Sequence, residues 1–121
     1  MSENKSDLSD ERGFMYLYHY KEKEYKICEI KNQHARGGDI HFLGDQFDVV
    51  LYGKIKLLTY VNGIDQEKIL NENELVVIPK GVPHIFIALK NSLLIEWRNG
   101  PYEKTFYEPY RKLCEEVKNE N

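Results

Sequence analysis

The stretch that decides the fold runs from Arg36 to Gly53: Arg-Gly-Gly-Asp-Ile-His-Phe-Leu-Gly-Asp-Gln-Phe-Asp-Val-Val-Leu-Tyr-Gly. Asp39 and His41 stand two residues apart, so on a strand they share one face. A Gly-containing turn at Leu43 to Asp45 follows, and a second strand begins at Gln46. Further along, Pro79-Lys80-Gly81-Val82-Pro83-His84 is a Pro/Gly turn that delivers one histidine to the start of another strand. Polar side chains from three strand ends can therefore meet in one pocket.

Working outward, the chain reads as short strands separated by turn signals. Phe14 to Tyr20 alternates, with Tyr16, Tyr18 and Tyr20 opposite Met15, Leu17 and His19. Lys21 to Lys23 is a polar turn, and Glu24 to Lys31 is a second strand. Asn32 to Gly38 reads as a loop. Asp39–Phe42 and Phe47–Tyr52 are the two central strands, and Ile55 to Val61 follows the turn at Gly53-Lys54. Asn62-Gly63 is a strong hairpin signal, with Gln66 to Leu70 as its return strand. Leu75 to Ile78 stops at Pro79. His84 to Leu89 and Leu93 to Trp97 form a last hairpin, which Asn99-Gly100-Pro101 ends. Glu108 to Val117 has helical spacing, with Pro109 in its first turn. About nine short strands and a single helix predict an all-β sandwich or barrel with a short C-terminal helix.

The 121 residues suit one domain, here residues 13–121. Residues 1–12 hold one large apolar side chain after Met1 and are expected to form a disordered tail. Nine Tyr, five Phe and one Trp favour strands. Net charge is −3 and the basic residues are scattered, which argues against nucleic-acid binding. No apolar run reaches the length of a membrane span, and the polar N-terminus has no signal-peptide core, so the expected location is cytoplasmic. Cys28 and Cys114 form no pair motif and are expected to be free thiols, Cys28 half buried in a strand.

These residues resemble a known family. The Gly-rich lead, the Asp39-Ile40-His41 step, Gln46 and the closing Gly53 are similar to the first cupin motif, with Asp39 where a histidine is usual. Pro79-x-Gly81-x-x-His84 is similar to the second. There Asn73 replaces the usual leading Gly, in a turn that asks for positive φ, and the usual trailing Asn is missing. The motif core covers residues 36–98. The resemblance implies a double-stranded β-helix, the cupin jelly-roll barrel. Arg36-Gly37, Gln46 and the Tyr107-Glu108-Pro109-Tyr110-Arg111 tail more weakly resemble the sugar 3,4-ketoisomerase branch. That branch acts on keto-sugars attached to dTDP, with metal-free catalytic histidines.

Two chemistries stay open. His41, His84 and Asp39 make a two-His-one-carboxylate set, to which Gln46 can add a neutral oxygen. Such a set suits one divalent metal ion, Fe, Mn, Ni or Zn. Without metal, His41 can move a proton, with Asp39 orienting it, as a sugar isomerase or epimerase requires. Arg36 is the candidate holder of a ligand's phosphate or carboxylate. Tyr52 and Trp97 are candidates to stack on a sugar ring or base, while the Tyr16, Tyr18, Tyr20 stripe reads as a packed sheet face. Glu96 fits the pocket or its rim. Asp45 and Asp48 read as turn and rim residues, although Asp48 shares strand parity with Gln46. His19 and His34 sit in no motif.

The functional expectation is a pocket for a small molecule. In one reading the protein is an isomerase or epimerase of nucleotide-linked sugars in carbohydrate or polysaccharide biosynthesis. In the other it is a metal-binding cupin that senses or stores a ligand. Both faces are apolar in His84–Leu89 and in Phe47–Leu51, so something must cover the outer face. A second copy in a symmetric homodimer is the expected cover, with the C-terminal helix as the competing one.

Overall fold

The structure, a computed structural model, describes residues 6–119. The chain runs β1 (Ser6–Asp10), β2 (Gly13–Tyr20), β3 (Lys23–Ile30), β4 (Ala35–Ile40), β5 (Gln46–Tyr52), β6 (Ile55–Val61), β7 (Ile64–Leu70), β8 (Leu75–Ile78), β9 (His84–Ala88), β10 (Ser92–Arg98), β11 (Thr105–Phe106) and α1 (Glu108–Asn119). One antiparallel sheet has the order β1-β2-β3-β10-β5-β8 and the other β11-β4-β9-β6-β7. The chain crosses between sheets repeatedly, so the two close face to face as a jelly-roll barrel.

The turns form where the sequence predicts them. Asn62 and Gly63 both have positive φ, 54° and 78°, which matches the right-handed twist of the β6–β7 hairpin. Asn73 takes φ 68°, the conformation for which it replaces glycine.

Three segments differ from the sequence reading. Residues 6–10, expected in the tail, pair with β2 instead. The edge of β2 offers unpaired N–H and C=O groups, and a strand can join them without apolar side chains of its own. Arg12 then clamps the hairpin, donating from Nη2 to Asp10 Oδ2 at 2.7 Å and from its backbone N–H to Oδ1 at 2.9 Å. Residues 1–5 of that expected tail lie outside the described residues. β4 begins at Ala35, within the expected loop, because its two glycines build a bulge and not a break. β11, which the sequence does not announce, pairs Thr105 with Ile40 and Phe106 with Asp39.

The inner core is apolar at one end of the barrel, where Ile30, Val50, Ile55, Leu70, Ile78 and Leu94 meet. A second cluster lies outside it. Tyr110 and Cys114, one helical turn apart on α1, pack on Ala35 and Ile85 of β4 and β9. The Tyr110 hydroxyl donates to Asp65 Oδ1 at 2.6 Å. The helix therefore covers the outer face of the β9 strand, as the competing reading has it. The outer face of β5 has no such cover among the described elements. Cys28 and Cys114 are free, and Cys28 is fully buried where the sequence implied half. No described helix is long and apolar enough to cross a membrane.

Ile85 is sealed between α1 and the sheet. Ile85→Ala is expected to cost about 2–4 kcal/mol in urea-induced unfolding. A loss of a few tenths would mean that the helix does not hold this face.

Candidate functional site

The inner face turns polar at the other end of the barrel, and strand register determines how. Lys26 on β3, Glu96 on β10 and Asp48 on β5 are direct cross-strand neighbours. Arg98 stands opposite Gln46 one step further along. One row below, Cys28, Leu94 and Val50 already belong to the apolar core. The pocket thus begins where one row of charges replaces one row of aliphatics. It is a cavity of about 210 Å³ bordered by residues of both sheets, by Tyr102 and by Arg111 of α1.

Gly37 and Gly38 deliver the acidic ligand candidate. Both have positive φ, 112° and 81°, and they open a bulge in the β4–β9 pairing just before Asp39. A Cβ on Gly38 would come within 2.8 Å of the Arg111 side chain. The bulge re-aims the strand so that Asp39 pairs with His84 across the ladder. Asp39 Oδ1 lies 3.3 Å from His84 Nε2 and 4.0 Å from His41 Nε2. The second motif's turn is tied to the first by Gly81 N–H donating to the His41 carbonyl at 2.7 Å. Lys80 N–H donates to Asp45 Oδ1 at 2.9 Å, which gives Asp45 the turn role read from the sequence.

The two histidines are fixed by their other ring nitrogens. His41 Nδ1 donates to the Glu103 carbonyl and His84 Nδ1 donates to the Val82 carbonyl, since a carbonyl oxygen only accepts. Each neutral ring therefore turns an Nε2 lone pair inward. Burial pushes the His84 imidazolium down, with the Asp39 charge opposing it. Two Nε2 lone pairs and a carboxylate oxygen then converge, all within 4.8 Å, with no hydrogen between them. Such a trio of acceptors is stabilised by a cation. Ligand atoms about 2.1 Å from one ion sit at most about 4.2 Å apart, so small side-chain rotations close the set around a metal. The donor set fits a borderline divalent ion.

The nearest resident cation is already committed. Arg98 Nη2 donates to Glu96 Oε2 at 2.7 Å and reaches His41 Nε2 only at 3.5 Å. The short charge-assisted bond outweighs the long one. Burial alone would push Glu96 up, but Lys26 and Arg98 outweigh it and hold the carboxyl down at about 2. Asp48 goes the other way. Burial first, and the like charge of Glu96 second, raise it well above the usual carboxylate value. Its Oδ1 accepts from Gln46 Nε2 at 2.8 Å, and its Oδ2 has no donor aimed at it. A side-chain hydrogen bond shared with Glu96 also favours the protonated form of Asp48.

Asp39, His41, His84, Gln46 and Arg36 all border the cavity. Gln46 is 1% exposed, and its Oε1 has no donor. The orienting role read for Asp39 shifts, because it lies nearer His84 while Glu103 orients His41. Tyr52 and Trp97 do not reach the pocket. Tyr52 closes β5 six residues beyond Gln46, about 20 Å away at about 3.3 Å per residue, and it is 44% exposed. Trp97 alternates with the inward Glu96 and Arg98, so it faces outward and stacks on Phe47 with ring centroids 5.7 Å apart. The sequence reading missed Lys26, Arg98 and Tyr102, and left Glu96 open between pocket and rim. The signal was the parity of β10: Leu94, Glu96 and Arg98 share one face, and only the first is apolar.

No protein-family model and no curated protein matches this sequence. Solved structures do match. Capsular polysaccharide assembling protein CapF from Staphylococcus aureus superposes with a TM-score of 0.72 at 19% identity over 80% of this chain. Oxalate decarboxylase from Lactobacillus farciminis, in its formate complex, gives 0.69 at 15% identity over 84%. This protein has the cupin fold. Fe(II)-HppE with the alternative substrate (S)-1-HPP is a further cupin neighbour, with a TM-score of 0.59 at 19% identity over 70% of the chain. The chain spans 30% of the CapF structure, 33% of the decarboxylase and 48% of HppE.

The Asp48 carboxyl generates a pH test of the barrel's inner network. Its raised value exists only in the folded state. Its folded form therefore costs nothing below the ordinary value of 3.8, and stability is lost as pH rises from there through the folded value. Asp48→Asn keeps a donor toward Glu96 and an acceptor for Gln46 while removing the titration. Thermal unfolding at about pH 5 and about pH 8 should show the variant gaining on the parent as pH rises. An equal gap at both values would refute the protonated Asp48.

Proposed function

We propose that this protein holds one divalent metal ion on Asp39, His41 and His84 and binds a small molecule in the cavity above it. The observation that carries this reading is the convergence of three acceptor atoms within 4.8 Å, two of them lone pairs fixed by backbone carbonyls. His ligands oriented through their second nitrogen are the usual construction of a metal site. Gln46 Oε1, buried and without a donor, is a fourth candidate oxygen. When bound, such an ion polarises a ligand oxygen. The chain's own residues then bind and orient the ligand, and the Tyr102 segment shields it from water. Among the fold's neighbours, HppE is described with Fe(II).

A second reading is an isomerase or epimerase of nucleotide-linked sugars in polysaccharide biosynthesis. It is favoured by Arg98 Nη2, whose 3.5 Å approach to His41 Nε2 gives a metal-free site its own cation, and by the likeness to CapF. Here His41 Nε2 takes a proton from the carbon beside a sugar carbonyl and returns it to the same or the adjacent position. Asp39, 4.0 Å away, stabilises the imidazolium that forms.

Elemental analysis of untagged protein, beside a chelator-stripped sample, separates the two. Near-stoichiometric Fe, Mn, Ni or Zn is expected in the parent. It should be lost in His84→Ala, together with a metal-dependent rise in melting temperature. A metal-free parent whose melting temperature none of these ions raises would remove the first reading and leave His41 as the acid–base group.

The reading includes a second copy of the chain as partner. On the outer face of the first sheet, Tyr16, Ile27, Ile95, Val49 and Leu75 form one cross-strand row. Tyr18, Tyr25, Trp97, Phe47 and Val77 form the next. Leu75 is 53% exposed and Val77 46%, and α1 lies on the other sheet. An apolar face five strands wide spans about 20 Å, which suits a self-complementary contact. Light scattering after size exclusion should give twice 14.3 kDa for the parent. A Leu75→Lys/Val77→Lys variant should elute as a monomer. A monomeric parent at micromolar concentration would exclude the dimer.

A further inference from the structure

The basic residues are scattered along the chain, but folding gathers them. Among the described residues, Arg12, Lys26, Arg36, Arg98, Lys104 and Arg111 all border the cavity of the Asp39–His41–His84 trio, against only two carboxylates, Asp39 and Glu96. The protein as a whole carries net charge −3 and 17 Lys and Arg side chains. A cationic cavity in an acidic protein requires a reason, because like charges brought together repel. Arg12 and Arg36 do repel each other here.

Not all six are neutralised. Lys26 and Arg98 belong to Glu96, at 3.6 and 2.7 Å, and Arg12 belongs to Asp10 at 2.7 Å. Three remain. Arg36 is 6% exposed, yet its hydrogen bonds go to backbone carbonyls, from Nη2 to Gly13 at 2.9 Å and from Nε to Glu29 at 3.1 Å. Its nearest described carboxylate oxygen, on Asp10, is 3.9 Å away and already shared with Arg12. Arg111 donates from Nη1 to the Gly37 carbonyl at 2.9 Å and lies over the Phe106 ring at 4.6 Å. Lys104 lies over the same ring at 5.4 Å. Among the described residues, neither Lys104 nor Arg111 has a carboxylate within ion-pair distance. Carbonyls and an aromatic face orient a cation without cancelling its charge.

We infer that the pocket recognises a small molecule through a doubly charged oxyanion group, a phosphate or a pair of carboxylates, seated among Arg36, Lys104 and Arg111. The three side chains come from β4, the segment leading into β11, and α1. The site therefore exists only once the helix has docked. Guanidinium forks hold such oxygens in pairs, and Lys104 adds a mobile point charge at the exposed rim. The inner Glu96 network keeps Arg98 and Lys26 away from this anion, so its position is set at the mouth, beside the Asp39–His41–His84 trio. This deepens the small-molecule reading above but does not depend on a metal.

Isothermal titration of the full, chelator-stripped chain tests it, with inorganic pyrophosphate, malonate and glucose as probes. At least one anion is expected to bind, and glucose is not. A tighter fit for pyrophosphate assigns a phosphate ligand, and a tighter fit for malonate a dicarboxylate. Lys104→Gln should weaken the anion several-fold and Lys104→Gln/Arg111→Gln by about tenfold or more, with affinity falling as salt rises. Lys104 is exposed, so its single variant keeps the readout even if Arg111→Gln disturbs the helix. The proposal is overturned by the absence of heat from both anions, by unchanged affinity in Lys104→Gln, or by anion binding that appears only when metal is restored. The last result would leave the metal site standing and assign the anion to the metal.

Discussion

An ionised carboxylate inside a barrel must be held by charges that share its burial, and Glu96 is held this way. Lys26 reaches it from one neighbouring strand, Asp48 from the other and Arg98 from two residues along its own. Removing both cations would leave the charge uncompensated, a cost of several kcal/mol in comparable buried pairs. The same network decides what the pocket contains. It engages Arg98, which lies 3.5 Å from His41 Nε2, and the Glu96 charge adds to burial in raising the adjacent Asp48 carboxyl. The open lone pairs of the histidines depend on this arrangement one row beneath them.

The barrel thus divides along its axis. One end is a packed aliphatic core that supplies stability, and the other is a polar chamber whose groups satisfy one another only in part. Gln46 Oε1 and Arg98 Nε are buried without partners. Unsatisfied groups of this kind are costly in a closed core. They are tolerable beside a cavity, where water or a ligand completes them. The segment from Tyr102 to Phe106 closes this end. Glu103 pins it by accepting from the Phe42 and Leu43 amides at 2.8 and 3.1 Å while its carbonyl fixes the His41 ring. Tyr102 covers the Arg98 guanidinium at 4.5 Å. One short strap therefore sets the orientation of a candidate ligand and the roof of its cavity.

Much of this was legible in the chain. Period-two alternation located most of the strands, and Asn62-Gly63 and Asn73 marked turns that do adopt positive φ. The Asp39-x-His41 step and the Pro79-to-His84 turn brought three buried side chains into one cluster. Local rules failed where pairing overrode composition. β1 forms on a polar segment because β2 presents an open edge, and Gly37-Gly38 bends a strand that its glycines made look like a loop. Tyr52 and Trp97 were misplaced for different reasons. Trp97 has the wrong parity, whereas Tyr52 lies at the wrong end of its strand, a property that depends on register with neighbours distant in sequence.

The sequence by itself determined the fold class, the turns, and the two-residue alternation of most strands. All of these depend on interactions a few residues long: backbone dihedrals, alternation and turn chemistry. The tertiary structure alone decided that Lys26, Glu96 and Asp48 form one row, that α1 covers β4 and β9 but not β5, and that six scattered cations border one cavity. Charge carries no periodicity along the chain. Its partners are chosen by strand register and helix docking, which are fixed only when the two sheets close on each other.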